Sequence, residues 1–168
     1  MRKKLGECLV QAGLITETDL QTALAEHKRS GERLGGVLIP GTIGAVGHSD
    51  ADVLIHVICD ALLGAANLRD IGYHFPDSSD EYKGIDSKKL LARVMELIRE
   101  KGYSFGNVDA TICLQQPKIG PYIPEMKKTL ASVMNTDEEN ISIKATTTEK
   151  LGYVGREEGV SAYAVVLI

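Results

Sequence analysis

A chain of 168 residues with 43% hydrophobic side chains and a formal net charge of −4 can bury one sizeable core, which excludes a fibre or a disordered chain. No apolar run approaches the roughly 20 residues that cross a bilayer, and Met1-Arg-Lys-Lys leads into Leu5-Gly-Glu-Cys rather than an apolar signal core, so a cytoplasmic protein is expected. The mild acidity, with no basic block longer than Arg2-Lys3-Lys4, argues against nucleic acid as the main partner. Cys8, Cys59 and Cys113 stand far apart in apolar contexts and read as reduced core thiols.

In chain order, Thr16 to Arg29 places Leu20, Ala23, Leu24 and His27 at helical spacing and predicts a short amphipathic helix ending at Gly31. Leu5-Gly-Glu-Cys-Leu and Leu34-Gly-Gly-Val-Leu form a weak internal echo around it. From Leu34 the texture changes to short β-like runs, 34–40, 108–114, 141–146 and 160–168, separated by helices over 52–66, 87–101 and about 123–134. Leu90, Leu91, Val94, Leu97 and Ile98 make one apolar stripe, with Lys88, Arg93, Glu96 and Arg99 outward. Val108, Ala110, Ile112 and Leu114 alternate with polar neighbours, so that strand buries one face. The mixture predicts an α+β layer with helices on one face of a sheet.

Three stretches carry chemistry. In Gly47-His-Ser-Asp-Ala-Asp-Val-Leu-Ile-His, a polar cluster runs into an apolar helix, and Asp52, His56 and Asp60 recur at i, i+4 and i+8 on one helix face. Unpaired, such groups would cost several kcal/mol among Val53, Leu54, Ile55 and Val57, so they need a metal, a ligand or one another. The bland alternative is a helix capped by Ser49 or Asp50 with His56 a satisfied core histidine. The second stretch, Arg69 to Gly84, offers carboxylates at Asp70 and Asp77, a cation at Lys83 and an apolar wall at Phe75, ingredients for gripping a polyol with charged ends. A solvated surface loop is the equal alternative. In the third, Lys144-Ala-Thr-Thr-Thr-Glu-Lys-Leu-Gly, hydroxyls and a carboxylate follow a strand. They suit phosphate oxygens, with Glu149 holding a bridging divalent cation and Arg156 pairing a phosphate. A capping box from Thr146 to Glu149 is the competing explanation.

Together these stretches, with Asp60-Ala-Leu-Leu-Gly-Ala-Ala, Phe75-Pro-Asp and Gly106-Asn-Val-Asp, resemble the 2-C-methyl-D-erythritol 2,4-cyclodiphosphate synthase family from Leu34 onward. The resemblance implies cyclisation of 4-diphosphocytidyl-2-C-methyl-D-erythritol 2-phosphate with release of CMP, in a homotrimer with active sites between subunits and a mixed sheet with helices on one side as its core. It implies a zinc ligand at His56, phosphate contacts at His48 and Ser49, a ribose contact at Asp70, a substrate contact at Gly72, and erythritol contacts at Asp77. Glu149 would carry magnesium or manganese, and Arg156 would meet a phosphate. The cytosine pocket would comprise Gln116, Pro117, Lys118 and Ile119 with Thr147. Phe75, Lys83, Thr146 and Tyr153, the last at a position where the family usually has Phe, complete the expected substrate surroundings.

The departure is at the front. The family begins with a strand reading Gly-x-Gly-x-Asp-x-His-x-Phe, whose Asp and His join the helix histidine around zinc. This chain has no Asp-x-His. Three protein ligands are usual for catalytic zinc, so one histidine predicts a weak site and impaired turnover. Residues 1–33 instead resemble the N-terminal module of type II secretion and type IV pilus ATPases through Lys4-Leu-Gly-Glu-Cys-Leu-Val-Gln-Ala-Gly-Leu-Ile and His27. The two resemblances meet at Leu34-Gly-Gly-Val-Leu, as in a fused sequence. A noncatalytic nucleotide-binding or scaffold protein with a synthase-like fold is the competing class.

Overall fold

Two adjacent glycines decide how the first β-like run folds. The computed structural model describes residues 16, 18, 32–39, 51–76, 78–82 and 84–168. Within it, strands β1 (Glu32–Leu34) and β2 (Val37–Ile39) pair antiparallel around Gly35 and Gly36, whose φ values are +59° and +77°. The single strand expected over 34–40 is therefore a tight hairpin. Positive φ at both turn positions is a conformation that L side chains resist. A Cβ on Gly35 would also lie 2.9 Å from the Met126 side chain, so glycine is required for packing as well as for the turn.

Helix α1 (Val53–Ala65) follows, its N-terminus capped by Asp52, which accepts the Ile55 N–H at 3.0 Å. The capping residue is thus neither Ser49 nor Asp50. Sequence spacing cannot distinguish three nearby capping candidates when each precedes the same apolar run. A short helix α2 (Ile71–His74) and helix α3 (Ser87–Glu100) come next, joined through a 3₁₀ turn at Asp80–Tyr82. Strand β3 (Asn107–Cys113), helix α4 (Ile123–Met134), strand β4 (Ile141–Thr146), the one-turn α5 (Gly152–Gly155) and strand β5 (Ser161–Leu167) complete the order. Apart from the hairpin, the predicted elements lie within a residue or so of those observed. The helix expected over 16–29 falls, except for Thr16 and Thr18, outside the described residues.

The larger sheet runs β4-β3-β5, with β3 parallel to β4 and antiparallel to β5, so it is mixed as expected. Its inner face presents Val108, Ala110, Ile112, Ile141 and Ile143 to a core shared with α1, α3 and α4. Apolar burial of this kind contributes about 25 cal/mol per Å² and dominates the stabilisation. The outer face carries Asp109, Ser142, Lys144, Tyr163, Val165 and Leu167, all exposed. Cys59 is wholly buried on α1, and burial, followed by the charges of Asp60 and Asp52, pushes its thiol well up. It stays protonated and inert. Cys113 is only half-buried, on the outer side of β3, so the expectation of a core thiol fails there. Cys8 lies outside the described residues.

Asp52 joins the hairpin to the helix layer. Its carboxylate, fully buried, accepts N–H groups from Gly35 at 3.0 Å and Gly36 at 2.7 Å besides that of Ile55. Asp52→Ala should lower stability by about 3 kcal/mol or more, because buried donors left unsatisfied cost roughly 1–3 kcal/mol each. Urea denaturation measures this, and a loss under 1 kcal/mol would contradict the assignment.

Candidate functional site

The parallel pairing of β3 with β4 brings two of the expected site segments side by side. Parallel strands end on the same side, so the loops leaving their carboxyl ends are neighbours, and ligands commonly bind at such ends. Cys113 pairs with Thr146, and the Leu114 N–H donates to the Thr146 carbonyl at 3.0 Å. Gln116, Pro117 and Lys118 therefore emerge beside Thr146, Thr147 and Glu149. The Gln116–Pro117 peptide is cis, Lys118 is exposed, and Ile119 is buried as the anchor of the first loop.

The second loop is shaped by hydroxyls. Thr147 Oγ1 donates to Glu149 Oε1 at 2.6 Å, Thr148 Oγ1 donates to the Leu151 carbonyl at 2.7 Å, and Thr146 Oγ1 donates to the Thr147 carbonyl at 3.2 Å. The capping box expected from Thr146 to Glu149 does not form, since the following helix begins only at Gly152. Glu149 and Lys150 both hold positive φ, 51° and 64°, which carries strain for side-chain-bearing residues. Gly155 makes that path possible. A Cβ there would come within 2.2 Å of the Lys150 carbonyl carbon.

Tyr153 hydrogen-bonds through its hydroxyl to Ser161 Oγ, tying α5 to the start of β5. Arg156 is held by Glu158, Nε to Oε1 and Nη2 to Oε2, both at 2.8 Å. The pairing keeps the Arg156 guanidinium charged and holds the Glu158 carboxyl below its ordinary range. Both are exposed, so the pair can open to an incoming phosphate at little cost.

A second group gathers around α2. Asp70 caps it, accepting the Tyr73 N–H at 2.9 Å, and Gly72 follows in the first turn. Phe75 packs half-buried at its end, its ring edge-on to Tyr82 at 5.5 Å. Phe75, Tyr82, Ile85, Leu90 and Leu97 line a concavity of about 400 Å³ rimmed by Lys89 and Arg93. His48, Ser49, Asp77 and Lys83, expected at the site, lie outside the described residues.

The stripe Asp52, His56 and Asp60 does not converge on a shared ligand. Asp52 serves the hairpin, His56 Nε2 lies 2.9 Å from the buried Ser87 Oγ, and Asp60 accepts the Ile71 N–H at 2.8 Å. Helical spacing puts groups on one face, but adjacent elements then claim each in turn. Ser87 and Glu158 are not singled out by the sequence, and Asp60 is, but without Ile71 as its partner. Only long-range packing reveals them, although Asp86-Ser87-Lys88 is recognisable as a helix start.

A YgbB family model matches residues 22–168. The chain belongs to the YgbB family. It is 70% identical over 135 residues to the 2-C-methyl-D-erythritol 2,4-cyclodiphosphate synthase of Parabacteroides distasonis, spanning 80% of this chain and 84% of the relative. Its fold is similar to the CDP complex of the Plasmodium falciparum IspF, at 36% identity over 82% of this chain and 83% of that one, with a TM-score of 0.72. A CDP-bound 2C-methyl-D-erythritol-2,4-cyclodiphosphate synthase aligns with a TM-score of 0.75 at 34% identity, over 82% of this chain and 89% of that one.

Against a zinc site, the described residues are a poor fit. No three His, Cys, Asp or Glu side chains among them gather closely enough to hold a metal. The two carboxylates on the His56 face are spent on backbone N–H groups. Glu149 is different: it is an exposed carboxylate beside the Thr147 hydroxyl, a hard oxygen donor of the kind that divalent cations such as magnesium take.

Two predictions follow from this geometry. Gly155→Ala must displace Lys150 and should cost about 1–3 kcal/mol in urea denaturation; a neutral change would refute the close approach. Asp86 caps α3 beneath Ser87, accepting the Lys88 N–H at 3.0 Å and pairing with Lys88 Nζ at 2.8 Å. Partial burial works to raise the Asp86 carboxyl, but bonding to Lys88 outweighs it and the pKa is lowered. The stabilisation is thus fully present above the unfolded-state carboxylate value, about 3.9, and fades as pH falls through the lower folded-state value. Asp86→Asn should cost about 0.5 kcal/mol at pH 7 and the difference should vanish near pH 2, as followed by thermal denaturation across pH.

Proposed function

We propose that this chain binds 4-diphosphocytidyl-2-C-methyl-D-erythritol 2-phosphate and cyclises it to the 2,4-cyclodiphosphate with release of CMP. The observation that carries the reading is the pair of loops at the carboxyl ends of β3 and β4, in a chain 70% identical to a curated synthase. The 2-phosphate oxygen forms a new bond to the β-phosphorus. The bond from that phosphorus to its α-bridging oxygen breaks, and the oxygen departs on CMP. The nucleophile is already anionic, so the protein's work is to align the two phosphates and offset their charge.

Gln116, Pro117 and Lys118 would flank the cytosine, and Asp70 and Gly72 the ribose. Thr146 and Thr147 would donate hydroxyl hydrogens to phosphate oxygens. Arg156, released from Glu158, would add positive charge. Glu149 would hold magnesium or manganese, which offsets charge on the diphosphate when bound. His48, Ser49, Asp77 and Lys83 would complete the erythritol phosphate end. Tyr153 and Phe75 would supply apolar walls.

The Gln116–Arg156 group and the Asp70–Phe75 group share no hydrogen bond or ion pair among the described residues. That separation supports a site assembled between subunits of a homotrimer. The sheet's outer face supports it too, since Tyr163, Val165 and Leu167 stand 64%, 71% and 66% exposed along β5. A row of large apolar side chains left in water is a recognised interface signature. Val165→Glu should convert trimers to monomers and abolish turnover, as read by sedimentation velocity; a wild-type monomer would remove this part of the proposal.

A sequence without the Asp-x-His motif supports weak zinc binding and slow turnover. Purified protein should carry well under one zinc per chain by elemental analysis. It should bind CMP by calorimetry, yet form the cyclodiphosphate more slowly than the P. distasonis relative in the presence of zinc and magnesium. Failure to bind CMP would sink the reading. CMP binding with no detectable product would favour the nucleotide-binding scaffold instead.

A further inference from the structure

We infer that Asp60 is a positioning residue for the ribose end of the cytidine nucleotide, an inference that rests on the functional reading above. Asp60 stands on α1, a long helix packed into the core. Its Oδ1 accepts the N–H of Ile71, the first residue of α2, at 2.8 Å. The neighbouring residues on either side of that N–H are Asp70 and Gly72, the two groups assigned to the ribose.

Ile71 and Phe75 pack against the core, but the remaining hydrogen bonds of the segment around α2 are local. Tyr73 N–H donates to Asp70 Oδ1 at 2.9 Å, Phe75 N–H to the Ile71 carbonyl at 2.8 Å, and His74 Nε2 to the Leu68 carbonyl at 2.8 Å. Arg69, at φ +70°, lays its guanidinium over the Tyr73 ring at 4.2 Å. Each of these contacts spans six residues or fewer and would survive if the whole turn shifted as a unit. Among the described residues, the Asp60 bond alone links residues 69–75 by a hydrogen bond to another element. A four-residue helix has too few internal bonds to hold its own first turn, because nucleation is the costly step in helix formation. An outside acceptor at the first N–H supplies that restraint.

The restraint bears directly on the ligand groups. Asp70 uses Oδ1 for its own cap, so the direction of its remaining oxygen follows the orientation of the turn. Gly72 lies tight against the same carboxylate, an added Cβ falling 3.3 Å from Asp70 Oδ1. Once Asp60 fixes Ile71, both neighbours are set before a ribose arrives. Binding then loses less freedom, which is how preorganisation raises affinity.

The test compares Asp60→Asn, which keeps an acceptor oxygen, with Asp60→Ala, which removes it, in the full chain. Asp60 is exposed, so both variants should fold and melt near the wild-type temperature. By calorimetry, CMP should bind D60A about tenfold more weakly and D60N within about threefold of wild type. In turnover, D60A should raise KM with kcat little changed, and D60N should restore KM. Amide exchange at Ile71 should be faster in D60A than in D60N. A purely structural role would lower kcat and melting temperature together and would overturn the inference. So would CMP binding by D60A that matches wild type, or equal loss in both variants. If the wild-type chain binds no CMP, the functional reading fails and carries this inference with it, whereas wild-type binding matched by D60A defeats the inference alone.

Discussion

One buried carboxylate organises the amino-terminal half of the described fold. Asp52 has no solvent exposure, yet its two oxygens accept three backbone N–H groups, from Gly35, Gly36 and Ile55. A carboxylate taken out of water is expensive unless fully hydrogen-bonded, and here each bond solves a second problem. Hairpin turns and helix N-termini both present backbone donors with no internal partner. Joining them through one anion satisfies both and sets the position of the hairpin against α1. The hairpin can then cover the core beside Met126 on α4, where the glycine backbone approaches closely. A neutral acceptor offers fewer lone pairs, and an alanine offers none.

That constraint also explains why the three ionisable groups on α1 have separate fates. Asp52 faces the hairpin, His56 the start of α3 and Asp60 the start of α2. Each of these neighbours begins a turn or a helix, and each offers donors or hydroxyls at its first residues. A helix that receives such starts along one face needs polar groups there, and residues four apart provide them. The same sequence pattern therefore anchors a hairpin at Asp52, a hydroxyl at His56 and a short helix at Asp60. Periodicity alone does not separate these roles.

The elements that could be read directly were those whose pattern reflects one dominant force. Leu90, Leu91, Val94, Leu97 and Ile98 predicted the buried stripe of α3, and all are buried except Leu97, which is half-buried. The alternation at Val108, Ala110 and Ile112 predicted the inner face of β3. Pattern failed where two residues outweighed it: Gly35 and Gly36 turned an apolar run into a hairpin, and the hydroxyls of Thr146 to Thr148 found local partners instead of a capping box. At the candidate site, Thr147 and Glu149 were legible as types, whereas Gln116 and Lys118 entered only through the family resemblance, which also grouped them with Thr147. Residue pattern alone does not give that adjacency, because it depends on β3 and β4 running parallel and in register. Glu158 was also hidden, since nothing in Arg156-Glu-Glu tells which glutamate closes on the guanidinium.

The parallel pairing has a further consequence for how charge is handled. Lys144 on β4 is neutralised by Asp109 across the strands at 2.5 Å, and Arg156 by Glu158. Bonding to Lys144 holds the Asp109 carboxyl below its ordinary range, so that pair remains ionised at neutral pH. These pairs are exposed, where exchanging a partner for water costs little, unlike the buried Asp52 network. Lys144, on the outer face of the sheet, and Arg156, beyond the end of β4, are held in place but not locked. Lys118, which carries no ion pair among the described residues, needs no such exchange. Fixed carboxylates build the scaffold, while exchangeable ones keep the cations available. The division follows burial: the same chemical group is structural where water is excluded and adjustable where water can replace a lost partner.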